Sequence, residues 1–287
     1  MHIKVLTNVR ADSFFLDLWV RHYGSIFGRE NLHVMLDGDD WTPGCDLAGV
    51  NLHVVTDVPH ARALRDNFIS AWQSSFARQL LSNGTKVVLR IDVDEFVAID
   101  PQAGFSLIEF LERMGPRAMF AALGIDVIEG PGDSPLALSR PILAQRHNAI
   151  VTHEFSKLVA VRRPPRWFSG FHRGYKVPVR IAPGLLLFHL ALFDRRIAAQ
   201  RVAERAAIGL HHSEAAHLNR RLNRFAAVEG PTPLAFDDVA ERARAQIMAP
   251  GPEGALPRPM PITDGNTTRG YLVRLPERMA GLLPPVS

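Results

Sequence analysis

Apolar runs and polar breaks alternate regularly over the first hundred residues. Residues 2–7 form a β-branched and aliphatic run that stops at Asn8, the pattern of a short strand. Residues 14–27 bring Phe15, Leu18, Trp19, Tyr23 and Ile26 together at helical spacing, which predicts a helix packed on that strand. Residues 31–36 predict a second strand, ended by the polar turn Asp37-Gly38-Asp39-Asp40, and residues 50–55 a third. Residues 60–81 predict a long helix stopped by Asn83-Gly84, and residues 86–91 a fourth strand. This order argues for an α/β fold with a largely parallel sheet covered by helices. Ligands of such sheets bind outside the carboxyl ends of the strands. The topology would gather Thr7-Asn8, Asp37 to Asp40 and Asp92 to Glu95 at one edge.

Further along, residues 105–114 predict a helix, 117–128 a strand and 130–141 a loop. Residues 155–162 and 185–190 predict strands, with the aromatic and basic loop WFSGFHRGYK between them. Past Asp194 the chain becomes rich in Ala, Arg, Leu and Glu and reads as helix to about Val228, followed by a shorter helix over 236–248. From Pro250, Pro and Gly accumulate, which predicts an extended tail lying on the surface or partly disordered. The expected organisation is an α/β domain over 1–193, a C-terminal helical extension over 194–249 and a Pro/Gly-rich tail over 250–287.

Composition narrows the class. The 287 residues, 47% hydrophobic and 22% charged, suit a folded protein with a sizeable core. The formal charge of +4 fits either an Arg-rich surface or a site for an anion such as a nucleotide diphosphate. No basic stripe interleaved with aromatics and no zinc-finger spacing occurs, so nucleic acid is not an expected partner. The single cysteine, Cys45, excludes an intrachain disulfide and a thiolate cluster, and fits a reducing compartment. The chain enters its first strand at once, without a signal-peptide pattern. Its longest apolar run, around 185–193, contains His189 and falls short of the ~20 residues of a membrane span. A soluble, cytoplasmic protein is expected.

Candidate chemistry concentrates in KVVLRIDVDEFVAIDP, residues 86–101. On a strand, Asp92 and Asp94 would face one side while Val93 packs inward. Two carboxylates so close stay ionised only beside something positive. Mg²⁺ or Mn²⁺ would suit them and phosphate oxygens together. The alternative is a surface turn whose acids cap the next helix.

KVVLRIDVDEFVAID resembles the Asp-x-Asp region of glycosyltransferases with the GT-A fold, in particular the family-two-like group whose strand ends in Asp-Val-Asp-Glu-Phe. Leu6-Thr-Asn8 stands where that group has Asn-Glu, and the helix with Leu18, Trp19, Val20 and His22-Tyr23 is similar to its Trp- and His-containing helix. LDGDDWTPG, KLVAVRRP, GFH and LLLFHL resemble later elements, so the likeness spans roughly residues 1–195. Val9 replaces the usual Glu, and residues 44–50 have no counterpart. The resemblance implies a GT-A mixed sheet flanked by helices and a metal-dependent transfer from a UDP- or GDP-linked sugar. The acceptor would be a saccharide, lipid or protein hydroxyl.

It further implies that Asp94 binds the metal directly and that Asp92 contacts the ribose, or the metal through water. His189, a core histidine on the alternative reading, would be a third metal ligand, with His172 the next choice. Asp37 or Asp39 would hold base or ribose, unless they serve only the turn. Thr7 and Asn8 belong to the same nucleotide-sugar edge. Arg62 and Arg65 could pair with phosphate or base, or be exposed helix charges. Lys157 could stabilise the diphosphate as a point charge. Trp167, Phe168 and Tyr175 could stack on an acceptor sugar, or simply cover the sheet. Asp126 and Glu154 are level candidates for the base that takes the acceptor's proton. Glu95 is read as a cap or a support of the site. The basic stretch 195–224 would touch an anionic membrane or acceptor, or pack its apolar face on the domain. His211, His212 and His217 lack the spacing of a helical metal pair.

Two other readings stay open. One is a non-catalytic module of the same fold that binds a sugar or nucleotide. The other is a metal-dependent nucleotidyltransferase or phosphohydrolase, disfavoured because LTNVRADS lacks the glycines of a phosphate loop.

Overall fold

A computed structural model describes residues 2–207 and 222–287, and eleven strands among them form one mixed sheet. The first four strands follow the expected parallel pattern. Strand β1 (Ile3–Val9) lies between β2 (Leu32–Asp37) and β4 (Val87–Arg90), and β3 (Asn51–Val55) lies outside β2. Helix α1 (Ser13–Phe27) connects β1 to β2, and α2 (Arg62–Ser82) connects β3 to β4. The order β3-β2-β1-β4 is that of a Rossmann-like half. Helix α1 starts where the Asp12 carboxylate accepts the Phe15 amide at 3.2 Å. Its apolar face, including Phe15, Leu18, Trp19 and Tyr23, is buried.

Beyond β4 the sheet turns mostly antiparallel. Strand β6 (Met119–Ile128) pairs antiparallel with β8 (Leu158–Val161) by its first half and with β7 (Asn148–Val151) by its second. On its other edge β6 runs parallel to β9 (Ile181–Leu192), which is itself antiparallel to β5 (Glu95–Ile99). Helices α3 (Leu107–Arg113), α4 (Arg195–Ala207) and α5 (Phe236–Ile247) pack around this half, and β10 (Leu234–Ala235) and β11 (Tyr271–Arg274) complete the sheet. At Gly124 a Cβ would fall 2.4 Å from the carbonyl carbon of Phe155, so the absence of a side chain lets residues 153–155 cross close over β6.

The structure corrects the sequence reading at four places. Asp92 and Asp94 do not sit on a strand. The Glu95 amide donates to the Asp92 carbonyl at 3.0 Å, closing a turn, and Glu95–Ile99 sets off as a strand of its own. All five of its residues are buried, so the polar–apolar alternation that marks a half-exposed strand is missing. Strand β7 was also hidden, being only four residues long with three of them apolar. Residues 271–274, expected in a surface or disordered tail, form β11 against β7, with Tyr271, Leu272 and Val273 at most 1% exposed. The Pro/Gly bias describes the approach to that strand and masks it. The tail is also tied down by Arg278, which pairs with Asp100 at 2.8 Å and with Asp237 at 2.5 Å. Finally, of the helix expected over 195–228 the described residues show α4 over Arg195–Ala207 and a 3₁₀ turn over Asn223–Val228, and the part between lies outside the described residues. His211, His212 and His217 lie outside the described residues. No helix among the described residues is long and apolar enough to cross a membrane.

Leu272→Ala tests the corrected tail. A buried leucine truncated in a sheet should cost roughly 2–5 kcal/mol, read as a lower urea midpoint. A surface tail would leave the midpoint unmoved.

Candidate functional site

A cavity of about 680 Å³ opens outside the carboxyl ends of β1 and β4. The β1 end contributes Asn8, Val9 and Arg10, the β4 end Arg90 and Asp92 to Asp94, and the start of α2 Arg62, Arg65 and Asp66. A hairpin over residues 166–175, the 153–157 segment and later parts of the chain close the other walls. Among the described residues, eight arginines and Lys157 line it against five carboxylates, so its field favours an anion.

The floor is set by strand register. Strand β9 lies between β5 and β6, and His189 stands opposite Glu95 on one neighbour and Asp126 on the other. His189 Nδ1 is 2.6 Å from Asp126 Oδ1, and Phe155 stacks on the imidazole with centroids 3.8 Å apart. With Nδ1–H donated to Asp126, Nε2 points its lone pair towards Asp94 Oδ2, 3.6 Å away. That Nε2 is buried and has no hydrogen-bond partner. A lone pair facing a carboxylate is repulsive unless a positive charge intervenes. Without a metal the proton fills this role. Burial opposes the imidazolium, yet Asp126 and Asp94 outweigh burial and raise the His189 pKa. A divalent cation between Asp94 and His189 answers the same demand, with Asp126 orienting the ring from behind. Asp94 and His189 supply two donors facing each other, and no group of three or more His, Cys, Asp or Glu placed to hold a metal ion occurs among the described residues.

The other carboxylates of the turn are engaged differently. Asp92 Oδ1 is 2.5 Å from Arg90 Nη2, and its Oδ2 pairs with Lys157. Burial works against the charged form of Asp92, but Arg90 and Lys157 hold its carboxyl well below the usual range. Lys157 also reaches Glu95 Oε1 at 2.7 Å, while Glu95 Oε2 accepts the Asp92 amide at 3.2 Å. Burial depresses the Lys157 ammonium, and Asp92 and Glu95 more than restore it. The expectations that Asp92 greets the ribose or metal, and Lys157 the diphosphate, are corrected to this extent: both are already committed to each other. Asn8 is likewise engaged, its Oδ1 accepting from Arg90 at 2.7 Å and from Gln73 at 3.2 Å.

Of the residues singled out from sequence, Asn8, Arg62, Arg65, Asp92, Asp94 and Lys157 meet at the cavity. So do Glu154 and His172. His189 and Asp126 lie directly behind Asp94. Thr7 does not belong: alternation along β1 turns it away from Asn8, and it is 1% exposed. Asp37 is buried and 2.6 Å from Arg65 Nη2, so it fixes Arg65 and does not line the cavity; Asp39 is an exposed turn residue away from it. The acceptor-stacking expectation is also corrected. Trp167 is a core residue, 3% exposed, whose Nε1 donates to the Leu158 carbonyl. Phe168 and Tyr175 sit together on the hairpin, 6.3 Å apart, outside the cavity lining. Burial and then Lys157 hold the His172 imidazole down at about 3, so it is neutral. Asp126 is 2% exposed and held by His189 and Arg224, which removes it from any acceptor.

Sequence reasoning missed Arg10, Asp12, Arg90, Arg201 and Arg224. Arg90 had a signal, a lone cation inside the apolar run KVVLRI, and Asp12 had its capping position. Arg201 and Arg224 fell within the basic stretch 195–224, but nothing in it singled them out, because folding brings them to the site from beyond residue 194. Arg201 pairs with Asp12 and lies 3.7 Å from Asp94; Arg224 joins Asp126 at 3.3 Å to Glu154 at 2.8 Å.

The raised His189 pKa carries a sign. The native state binds this proton more tightly than the unfolded chain. The stability it contributes is complete below about pH 6.5 and is lost as pH rises through the higher folded value. Asp126→Asn should lower the His189 pKa and flatten that part of the pH–stability profile. A heteronuclear NMR titration of the imidazole reads it, and an unaltered titration would contradict the assignment.

No family model matches the chain, and no curated protein does. Among solved structures, it is similar to the mannose-1-phosphate geranyltransferase from Thermus thermophilus at 12% identity, over 98% of this chain and 77% of that one, with a TM-score of 0.32. A score this low carries no argument.

Proposed function

We propose that this chain is a metal-dependent glycosyltransferase of the GT-A type, acting on a nucleotide-diphosphate sugar. The observation that carries the reading is the buried Nε2 of His189, 3.6 Å from Asp94 Oδ2 at the edge of an arginine-lined cavity. The resemblance of the DVDEF segment to that group supports it. Asp94 and His189 would hold Mg²⁺ or Mn²⁺, which when bound would neutralise charge on the leaving diphosphate.

The chain's own residues do the rest. Arg65, oriented by Asp37, and Arg10 and Arg62 offer guanidinium donors to phosphate or ribose along the β1 and α2 side. Asp92 and Lys157 act through their pairing, which keeps the turn in place. Glu154 is the proposed base, since it faces the cavity; Arg224 and Arg269 fix its position at 2.8 Å each. The acceptor would be a saccharide, lipid or protein hydroxyl. One observation favours a second reading, a non-catalytic binding module: the Glu154 carboxylate is already engaged by two guanidiniums. Release of free nucleotide from the donor separates the two.

Calorimetric titration of UDP, GDP and their sugar conjugates, with and without Mg²⁺ or Mn²⁺, tests the proposal. Binding should require the cation. Asp94→Ala should abolish that requirement together with tight binding, and Asp126→Asn should weaken the cation by roughly 10–100-fold. Equal, weak binding under all conditions would overturn the metal role.

A further inference from the structure

Two cations of the cavity stand apart from the others. Arg10, Arg62, Arg65, Arg90, Arg201 and Arg224 each have a carboxylate partner. Arg173 and Arg258 line the same cavity, and no carboxylate partner for either occurs among the described residues.

Both are nevertheless held in place. Arg173 belongs to the hairpin closed by the Phe168 amide on the Arg173 carbonyl at 3.1 Å and the Tyr175 amide on the Arg166 carbonyl at 2.8 Å. Its guanidinium lies 4.6 Å over the Phe168 ring. Stacking fixes the plane of a guanidinium while leaving its N–H edges free to donate. Arg258 sits in Pro257-Arg258-Pro259, where the flanking rings restrict the backbone to extended conformations. Pro259 is buried, and the next amide, of Met260, donates to the Ile247 carbonyl at 2.9 Å. Arg258 is thus presented at the rim on a stiff, anchored segment. It lies near enough to His153 to lower its pKa, alongside the larger effect of burial. Stacking holds the Arg173 guanidinium and the prolines hold the backbone that carries Arg258, which lowers the entropy lost when the two bind an anion.

Arg10, Arg62 and Arg65 enter the cavity lining from the end of β1 and the start of α2, and Arg173 and Arg258 enter it from the hairpin and the 257–261 stretch. We propose that Arg173 and Arg258 form a second anion subsite, which takes the phosphate group of a phosphorylated acceptor. Calling the ligand an acceptor rests on the proposed function; the subsite itself does not. Guanidinium pairs recognise phosphate through several charge-assisted hydrogen bonds at once. On this account the Pro/Gly-rich segment has a binding task.

The test is calorimetric titration of inorganic phosphate into the full chain, alone and presaturated with UDP or GDP and Mg²⁺. Wild type should bind phosphate in both states. Arg173→Gln/Arg258→Gln should weaken phosphate by at least about tenfold while nucleotide affinity moves less than about threefold. Neither side chain has an ion pair to lose among the described residues, and a thermal melt of the variant matching wild type establishes that it is folded. Loss of phosphate binding on adding nucleotide would place both anions in one site and overturn the proposal. So would phosphate binding that is absent in wild type at 10 mM, roughly the weakest site of interest, or indifferent to the substitutions. Failure of nucleotide to bind would instead sink the functional reading, with the phosphate arm still decisive. Sedimentation with phosphatidylglycerol vesicles then identifies the source of the group. Retention lost in the variant assigns a lipid headgroup, and no retention assigns a soluble phosphate ester.

Discussion

A single hydrogen bond, from the Glu95 amide to the Asp92 carbonyl, reverses the chain between β4 and β5, and the cavity floor depends on that reversal. Because the chain turns there, β5 starts at Glu95 and pairs with β9 so that Glu95 meets His189. Strand β9 in turn pairs with β6 so that His189 meets Asp126. A slip of one residue in either pairing would move every side chain to the other face of the sheet. The position of His189 is therefore fixed by two independent registers, and the imidazole's direction by a third contact, to Asp126. The Asp92 and Glu95 carboxylates are compensated by one buried ammonium, that of Lys157. Arg90 also pairs with Asp92, so removing the ammonium would strip the buried Glu95 of its ion-pair partner and leave Asp92 with Arg90 alone, which makes Lys157 a structural requirement of the turn before any role towards a ligand.

The cavity walls follow the same logic of fixed charge. Most guanidiniums are oriented by carboxylates: Asp37 sets Arg65, Asp12 sets Arg201, and Asp126 with Glu154 sets Arg224. Donors arranged before a ligand arrives need little reorganisation when it does, which is how a polar site binds anions in competition with water. Arg173 is held by stacking on Phe168 and Arg258 is carried on a proline-restricted backbone, and neither has a carboxylate partner among the described residues.

The parallel half of the fold was legible because each strand and helix there shows its own periodicity. Residues 14–27 display helical spacing, and polar residues mark the ends of β1, β2 and β4. Topology alone gathered Asn8 and Asp94 at one edge, along with Thr7 and Asp37, which do not line the cavity, while Arg62 and Arg65 were candidates only as charges at the start of the long helix. What escaped had physical reasons. Strand β5 is buried on both faces and shows no alternation. Strand β11 is four residues long and sits among prolines and glycines. Trp167 looked like a stacking residue because a sequence does not reveal which aromatic of WFSGFHRGYK turns inward. Arg201, Arg224 and Arg258 join the site only through tertiary contacts more than a hundred residues from Asp94 or β1. Asp126 and His189 were both noticed, but their pairing is a matter of strand register, which no local pattern encodes.

The claim at the centre is that Asp94 and His189 share a divalent cation. An anomalous difference map, from crystals grown with Mn²⁺ and a nucleoside diphosphate and recorded at the manganese edge, tests it most directly. The account predicts a peak between the Asp94 carboxylate and His189 Nε2, touching the diphosphate. A fully occupied nucleotide with no peak there, or with manganese bound elsewhere in the cavity, would contradict it.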